Sequence, residues 1–418
     1  MDKVISLNDI HNRRIDTIEW AKVGTKIDKD GVMTTYPLKV WHNLECVLKK
    51  HGIELKLNDV THEIVSNVNF KSNEGRLTDI HTLAIEEGLK WTRDDVSVFM
   101  NRIAEENNYN PFTEMLIENE NNSSLEENQL LIQKLFNCLE IDCSKEDKEY
   151  YFTIFFKWML NVVKMAFNSF ENNFSSQGVL VLQGDQGLKK TTFCRNLIPD
   201  RKLFKSDESL DPSNKDSIIT NTKYILVEWG ELDSTLKSEQ ASLKRFITAE
   251  ADEYRAPYGR CTEKYPRRTS YVGTVNKRDF LKDETGSRRF WVIPLKKIDI
   301  EKQKKIDMPK LWGAVYSVWK SGKVKEYLID DELAALKKVN STFNYENDTS
   351  IVLKDNIDWS MPKEQWRVYK TVQIANALGL HEKKKIDIEL TRMGHEKKVR
   401  KVNGKSVRGF LLPNLGVE

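Results

Sequence analysis

The segment Gly184-Asp185-Gln186-Gly187-Leu188-Lys189-Lys190-Thr191 follows an apolar run, residues 178–182, and opens a stretch with helical character, residues 191–197. A glycine-rich loop in that context turns its backbone N–H groups onto an anionic phosphate, and the start of the helix adds favourable potential. Its lysine meets the outer phosphates and its hydroxyl ligates Mg²⁺. Those two roles fall to Lys190 and Thr191. The cofactor-binding set runs from Gly184 through Thr191 to Thr192, and the ligands expected are ATP and Mg²⁺. One residue departs from the pattern G-x-x-x-x-G-K-[ST]: Lys189 stands where glycine is usual. A side chain there costs about 1 kcal/mol if the backbone needs a positive φ. The structural alternative is a lysine-rich helix start with no ligand.

A second apolar run, residues 224–227, leads into Glu228-Trp-Gly-Glu231-Leu-Asp233. In a phosphate-loop protein an acid after such a strand holds the Mg²⁺ water shell, and a second acid orients and deprotonates the attacking water. Glu228 and Glu231 share these jobs in an order the sequence leaves open, and the metal ligands expected are Thr191 and Glu228. These motifs require elements to position them. Residues 178–294 alternate apolar strand-like runs (178–182, 224–227, 270–275) with helical ones (191–197, 239–248), as an α/β domain with a mainly parallel sheet does. Ligands of such sheets sit at the carboxyl ends of the strands, where these motifs fall.

The residues Gly184 to Phe193, Val227 to Leu232, Tyr254 to Arg260, Pro266 to Arg268, Gly273 to Asn276 and Asp283 to Trp291 together resemble the virulence-associated E family of phage and mobile-element replication proteins. That family is similar to the superfamily-three helicases of the AAA+ class. The resemblance is specific over about 178–294 and general elsewhere. It implies that Asn276 is a sensor residue positioning the attacking water, and that Arg288 or Arg289 is an arginine finger reaching a neighbouring subunit's ATP. An arginine against the γ-phosphate stabilises transition-state charge, and supplying it in trans couples hydrolysis to ring assembly. The resemblance further implies a β-hairpin in the central channel, carrying Arg255, Tyr258, Arg260 and Lys264. There, basic groups would track phosphates and aromatic faces would stack on bases of single-stranded DNA. The structural alternative is a hairpin whose arginines pair with acids.

The C-terminal stretch reads as two short helices, 371–379 and 386–393, then two strand-like runs, 397–402 and 406–412, around Asn403-Gly404. That pattern is a winged helix-turn-helix, with Lys384, Lys385 and Arg392 on or beside the recognition helix and Lys398, Arg400, Lys401, Lys405 and Arg408 on the wing. Double-stranded DNA is the partner expected.

Composition sets the limits. The chain of 418 residues is 39% hydrophobic and 31% charged, a globular balance. Its apolar runs are strand-sized, far short of the roughly 20 residues that cross a bilayer. The N-terminus lacks the apolar core of a signal peptide, so a cytosolic protein of a bacterial host is expected. Lysine and arginine number 66 against 63 acids, a net +3 too small to name a polyanion partner by itself. The five cysteines form no CxxC pair and read as reduced thiols.

The resulting expectation is a multidomain α/β protein: a mixed N-terminal domain (1–117), a helical segment (130–177), an AAA+-like P-loop core (178–350) and a C-terminal winged helix (357–418). The polar segment 118–128 is the linker candidate. The function expected is an ATP-driven replicative helicase or initiator ATPase, a ring and, as the resemblance implies, a hexamer, with priming left to a separate primase. The alternatives are an origin-binding protein or helicase loader without unwinding activity, or a degenerate ATPase serving as a DNA-binding scaffold.

Overall fold

A computed structural model describes residues 17–144, 147–230, 232, 240–255, 262–281, 287–344, 348–402 and 405–415. The chain divides into two compact units, Met1–Lys277 with Thr285–Lys338 and Arg278–Glu284 with Val339–Glu418. Among the described residues no helix is long and apolar enough to cross a membrane.

The first unit begins with β1 (Val23–Ile27) and β2 (Met33–Pro37), an antiparallel ribbon. Next, β3 (Leu55–Asn58) pairs antiparallel with β4 (Glu63–Ser66) and parallel with β5 (Asn108–Tyr109). The helices Trp41–Lys50, Asn73–Glu86 and Arg93–Glu106 accompany this sheet. Leu44, Val47 and Leu48, and Val96, Met100, Ile103 and Ala104, recur at three- and four-residue spacing and share one buried core. Caps fix where two of the helices start. Ser72 accepts from the Gly75 N–H, and Thr92 accepts from the Asp95 N–H while the Asp95 carboxylate accepts from the Thr92 N–H.

The polar segment expected as a linker is packed. Ser124 and Glu127 form a capping box that starts the helix Leu125–Phe136. Asn128 is buried, its amide donating to the Asn121 and Ser123 carbonyls. The segment lies against the helix Met308–Ser321, where Ser317 accepts from the Asn121 N–H at 2.9 Å. Gly313 makes room for it, since a Cβ there would stand 1.7 Å from the Asn119 carbonyl oxygen. Polar composition suggested a tether, but asparagine and serine satisfy a buried backbone as readily as water does.

The central sheet has six strands: β6 (Leu139–Ile141), β7 (Val179–Gln183), β8 (Phe204–Glu208), β9 (Leu226–Trp229), β12 (Ser270–Val275) and β13 (Phe290–Ile298). β10 (Ala251–Tyr254) and β11 (Glu263–Pro266) form a separate hairpin. The spatial order is β6-β13-β7-β12-β9-β8. The last five are mutually parallel, and only the edge strand β6 runs antiparallel. β9 is offset from the expected 224–227, which places Glu228 inside the strand. The apolar β9 and β12 are buried throughout, and β7 up to Leu182, as strands covered on both faces are. Within the expected helical segment 130–177, the long helix is Lys148–Ala166, whose side chains are mostly buried. Its Trp158 donates to the Tyr271 carbonyl on β12 at 3.1 Å.

At the base of the hairpin, Arg267 and Asp252 are an ion pair with almost no exposed surface. The Arg267 Nε donates to Asp252 at 2.8 Å, its fork also reaches the Phe246 carbonyl, and its guanidinium lies 3.9 Å from the Phe246 ring centre. Neighbouring Arg268 donates to the carbonyl (2.9 Å) and carboxylate (3.2 Å) of Asp59 after β3, tying the N-terminal sheet to the hairpin base.

In the second unit, β14 (Arg367–Tyr369), β15 (Lys398–Val402) and β16 (Lys405–Leu412) form an antiparallel sheet in the order β14-β16-β15. Helices Asp348–Asp355, Thr371–Ala377 and Lys383–Arg392 pack on it around Leu353, Ile374, Ile386, Leu390, Phe410 and Leu412. β14 was not foreseen, because three residues give too short a pattern to read. Asn403 and Gly404 lie outside the described residues.

The Arg267–Asp252 pair makes a measurable prediction. Removing one partner of a buried pair strands the other, so Arg267→Ala should lower stability by about 3–5 kcal/mol. Arg267→Lys should recover only part of this, because an ammonium cannot reproduce the two-pronged contact. Denaturant unfolding of the three proteins is the check, and wild-type stability in Arg267→Ala would refute it.

Candidate nucleotide site and nucleic-acid interface

The loop after β7 is fixed by its neighbours. The Gly184 N–H donates to the Val275 carbonyl at 3.1 Å. Gly184 itself has φ 156, and a Cβ there would lie 2.5 Å from the Leu295 carbonyl oxygen. Lys189 adopts φ 63 and ψ 33. The position does require the left-handed conformation that glycine takes freely, and the lysine supplies it at the cost of some backbone strain.

The loop borders a cavity of about 520 Å³, whose walls are residues 186–191, Asp207, Gly230 and residues 274–277. Lys190 is buried beneath it and its Nζ donates to three protein acceptors: the Gly184 carbonyl (2.5 Å), the Asp185 carbonyl (2.9 Å) and Asn276 Oδ1 (2.8 Å). Burial pulls its pKa below the usual lysine value against the opposing pull of Asp185 and Glu228. Because β12 stands between β7 and β9, Asn276 reaches the loop lysine while Thr274 reaches the acid.

Glu228 has no exposed surface. Its Oε1 accepts from Thr191 Oγ1 at 2.7 Å and from Thr274 Oγ1 at 3.1 Å. Its Oε2 is buried with no hydrogen-bond partner among the described residues. Burial raises the carboxyl pKa, partly offset by the two hydroxyls and the Asp207 backbone. A buried anionic oxygen left open beside a threonine hydroxyl fits a hard divalent cation such as Mg²⁺, held by Glu228 and Thr191.

Sequence reasoning missed Asp207. It is the next-to-last residue of β8, at φ 58, lines the cavity, and its Oδ1 stands 2.2 Å from where a Cβ on Gly230 would be. Its negative charge also raises the Glu228 pKa. Its strand, Phe-Lys-Ser-Asp-Glu, is too polar to announce itself, and the glycine at 230 was the one available signal. Thr274 was missed as well.

The other expected residues are placed as follows. Glu231 lies outside the described residues, as do Tyr258 and Arg260. Arg288 and Arg289 precede β13, whose Phe290 pairs with Val179 while Pro294 pairs with Gln183. At 3.3 Å per residue the two arginines are about 20 Å from the 184–191 loop of their own chain, toward the other end of the sheet. Arg288 is exposed; Arg289 is half-buried, with Nε buried and unpartnered among the described residues. On the hairpin, Arg255 and Lys264 are exposed. In the second unit Lys384, Lys385, Lys398, Arg400 and Arg408 are exposed, and Lys385 is paired with Glu382 at 2.5 Å. Register puts Lys398 and Arg400 on one face of the ribbon and Arg408 on the other. The side chains of Arg392, Lys401 and Lys405 are outside the described set. Lys397, just before β15, pairs with Asp387 at 2.5 Å and lies over the Phe410 ring.

Among solved structures, the chain is similar to the apo structure of the NrS-1 C terminal region (305-718), at 15% identity over 88% of this chain and 98% of that one, with a TM-score of 0.47. It is similar also to the A form apo structure of the NrS-1 C terminal region, at 14% identity over 90% and 99%, with a TM-score of 0.48. No curated protein sequence matches it. The family description "virulence-associated protein E-like domain" matches residues 125–345, which span β6 to β13, the phosphate loop and the Glu228 cluster. With more than half of its length so matched, the chain belongs to the virulence-associated protein E-like family.

Proposed function

We propose that this chain is an ATP-driven replicative DNA helicase or initiator ATPase of a phage or mobile genetic element, built on an AAA+-like core and acting as a ring, a hexamer by resemblance. The observation that carries this reading is the cavity lined by Lys190, Thr191, Thr274 and Asn276, with the buried Glu228 bonded to its two threonines.

ATP is the substrate, with its triphosphate in the loop. Lys190 exchanges its three protein acceptors for phosphate oxygens, and Asn276, released from the lysine, is placed to orient the attacking water. Glu228 and Thr191 would hold Mg²⁺, which neutralises phosphate charge when bound. With Glu228 committed to Thr191, the proton-accepting role passes to Glu231. The distance of Arg288 and Arg289 from their own loop supports a finger that serves the neighbouring subunit, and hence a ring. Exposed Arg255 and Lys264 support a hairpin grip on single-stranded DNA. The two helices and basic ribbon of the second unit support a winged helix on duplex DNA. Steady-state ATP hydrolysis with and without single-stranded DNA, followed by strand displacement, tests the whole reading. DNA-stimulated hydrolysis without displacement would favour a loader or origin binder, and no hydrolysis at all would refute the motor.

Two residue-level outcomes follow. Glu228→Gln should cut hydrolysis at least 100-fold and yet raise the stability of the ligand-free protein, because it removes an uncompensated buried charge. The sign with pH is set by the raised folded-state pKa. The folded protein holds the proton longer than the unfolded chain, so stability falls as pH rises from the ordinary glutamate value through the folded one. The variant should lack that component, and thermal unfolding across pH 4–8 would reveal it. Separately, Arg288→Ala or Arg289→Ala should abolish turnover with nucleotide binding intact. Doping either inactive arginine variant into wild type should depress turnover more than in proportion to its fraction. Normal turnover in both variants would sink the finger assignment.

A further inference from the structure

Lys190 and Lys189 are adjacent but in opposite circumstances. Lys190 is buried and all three of its donor positions are occupied by Gly184, Asp185 and Asn276. A phosphate reaching Lys190 must first displace protein acceptors. Lys189 is exposed, lines the same cavity, and has no hydrogen-bond or salt-bridge partner among the described residues. Glu301, which feels its charge, is already paired with Lys304 at 2.8 Å. The backbone at Lys189 is left-handed, so this side chain is carried at a position glycine would fill without strain. A strained residue at the rim of a polar cavity, with an uncommitted cation, is placed for ligand contact.

We propose that Lys189 captures the phosphate tail of the incoming nucleoside triphosphate, contacting it at the cavity mouth before Lys190 leaves its three acceptors. Lys277, which is exposed and also lines the cavity, adds a second positive charge to it. The assignment rests on the nucleotide reading of this cavity. It makes the departure from glycine a gain of function in binding: the loop keeps its shape and acquires a charge that draws a polyanion in, an effect that salt weakens.

Stopped-flow association of a fluorescent ATP analogue with the full chain, at several salt concentrations, tests it. Four variants are needed: Lys189→Gly, Lys189→Asn, Lys189→Arg and Lys190→Ala. Glycine and asparagine both accept the left-handed backbone and lack the charge. Each should slow association about tenfold, flatten its salt dependence and raise the thermal midpoint of the free protein by about 2 °C. Arginine should retain the fast, salt-sensitive association. If Lys190→Ala loses binding while Lys189→Gly and Lys189→Asn associate as fast as wild type, the nucleotide site stands and the capture role is wrong. If Lys190→Ala leaves binding unchanged, the nucleotide reading of the cavity fails and the capture role fails with it.

Discussion

A carboxylate with no access to water sits at the centre of this protein, and its surroundings can be understood as the means of keeping it there. Glu228 is an anion in a low-dielectric interior, a costly arrangement unless hydrogen bonds replace the lost hydration. One oxygen receives two hydroxyls, from Thr191 and Thr274, while the other has no partner. Relaxation toward solvent is blocked by packing. Trp229, the next residue, is buried and stacked on Tyr271 of the adjacent strand at 4.5 Å, and its indole donates to Asn221 at 2.8 Å. Tyr271 is in turn held through its carbonyl by Trp158. The aromatic core thus locks the β9–β12 register, and the register keeps one Glu228 oxygen buried without a partner among the described residues. Preorganisation of this kind stores part of the cost of the site in the fold.

The arginines of the hairpin region show how burial divides residues of one type into separate roles. Arg267 is enclosed with Asp252 and stacked on Phe246, Arg268 reaches across to Asp59, and Arg255 faces solvent. The base of the hairpin is therefore joined to the N-terminal sheet on one side and to the core on the other. Beside the Asp59 contact, the His62 ring packs tilted against Tyr265 at 4.4 Å, and Tyr265 stacks on Tyr254 at 4.7 Å. Burial and the nearby charges of Arg268 and Lys223 lower the His62 pKa to about 4, so the ring is neutral at physiological pH and the stack carries no repulsion toward those cations. The tyrosines and arginines that hold the hairpin, Tyr254, Tyr265, Arg267 and Arg268, are thus a different set from Arg255 and Lys264, which face solvent.

Local chemistry was legible from the chain. Asn276, at the end of Ser270–Val275, was implied only by the family resemblance, whereas the run from Gly184 to Thr191 after an apolar strand, the acid at Glu228 and the helical character around Lys148–Ala166 depend on neighbours within a few residues, where periodicity and turn chemistry speak directly. So did the need for a left-handed backbone at Lys189, which follows from the spacing of the loop. The short or polar pieces were silent: β6, β8 and β14 carry too few apolar residues to signal a strand, and the segment 118–128 looked like a tether because its polar groups are satisfied by partners distant in sequence.

What the sequence determined by itself was therefore the list of reactive groups and the parallel α/β frame that presents them at strand ends. The tertiary structure decided which of those groups meet. It put β12 between the loop strand and the acid strand, so that Asn276 touches Lys190 and Thr274 touches Glu228. It brought Asp207 into the cavity from an edge strand, and it buried Arg267 and Lys190 while leaving Lys189 and Arg288 exposed. The reason is physical: propensity and hydrophobic period act over one turn or one strand, whereas strand order, register and the desolvation of a charge are settled by contacts between residues tens of positions apart.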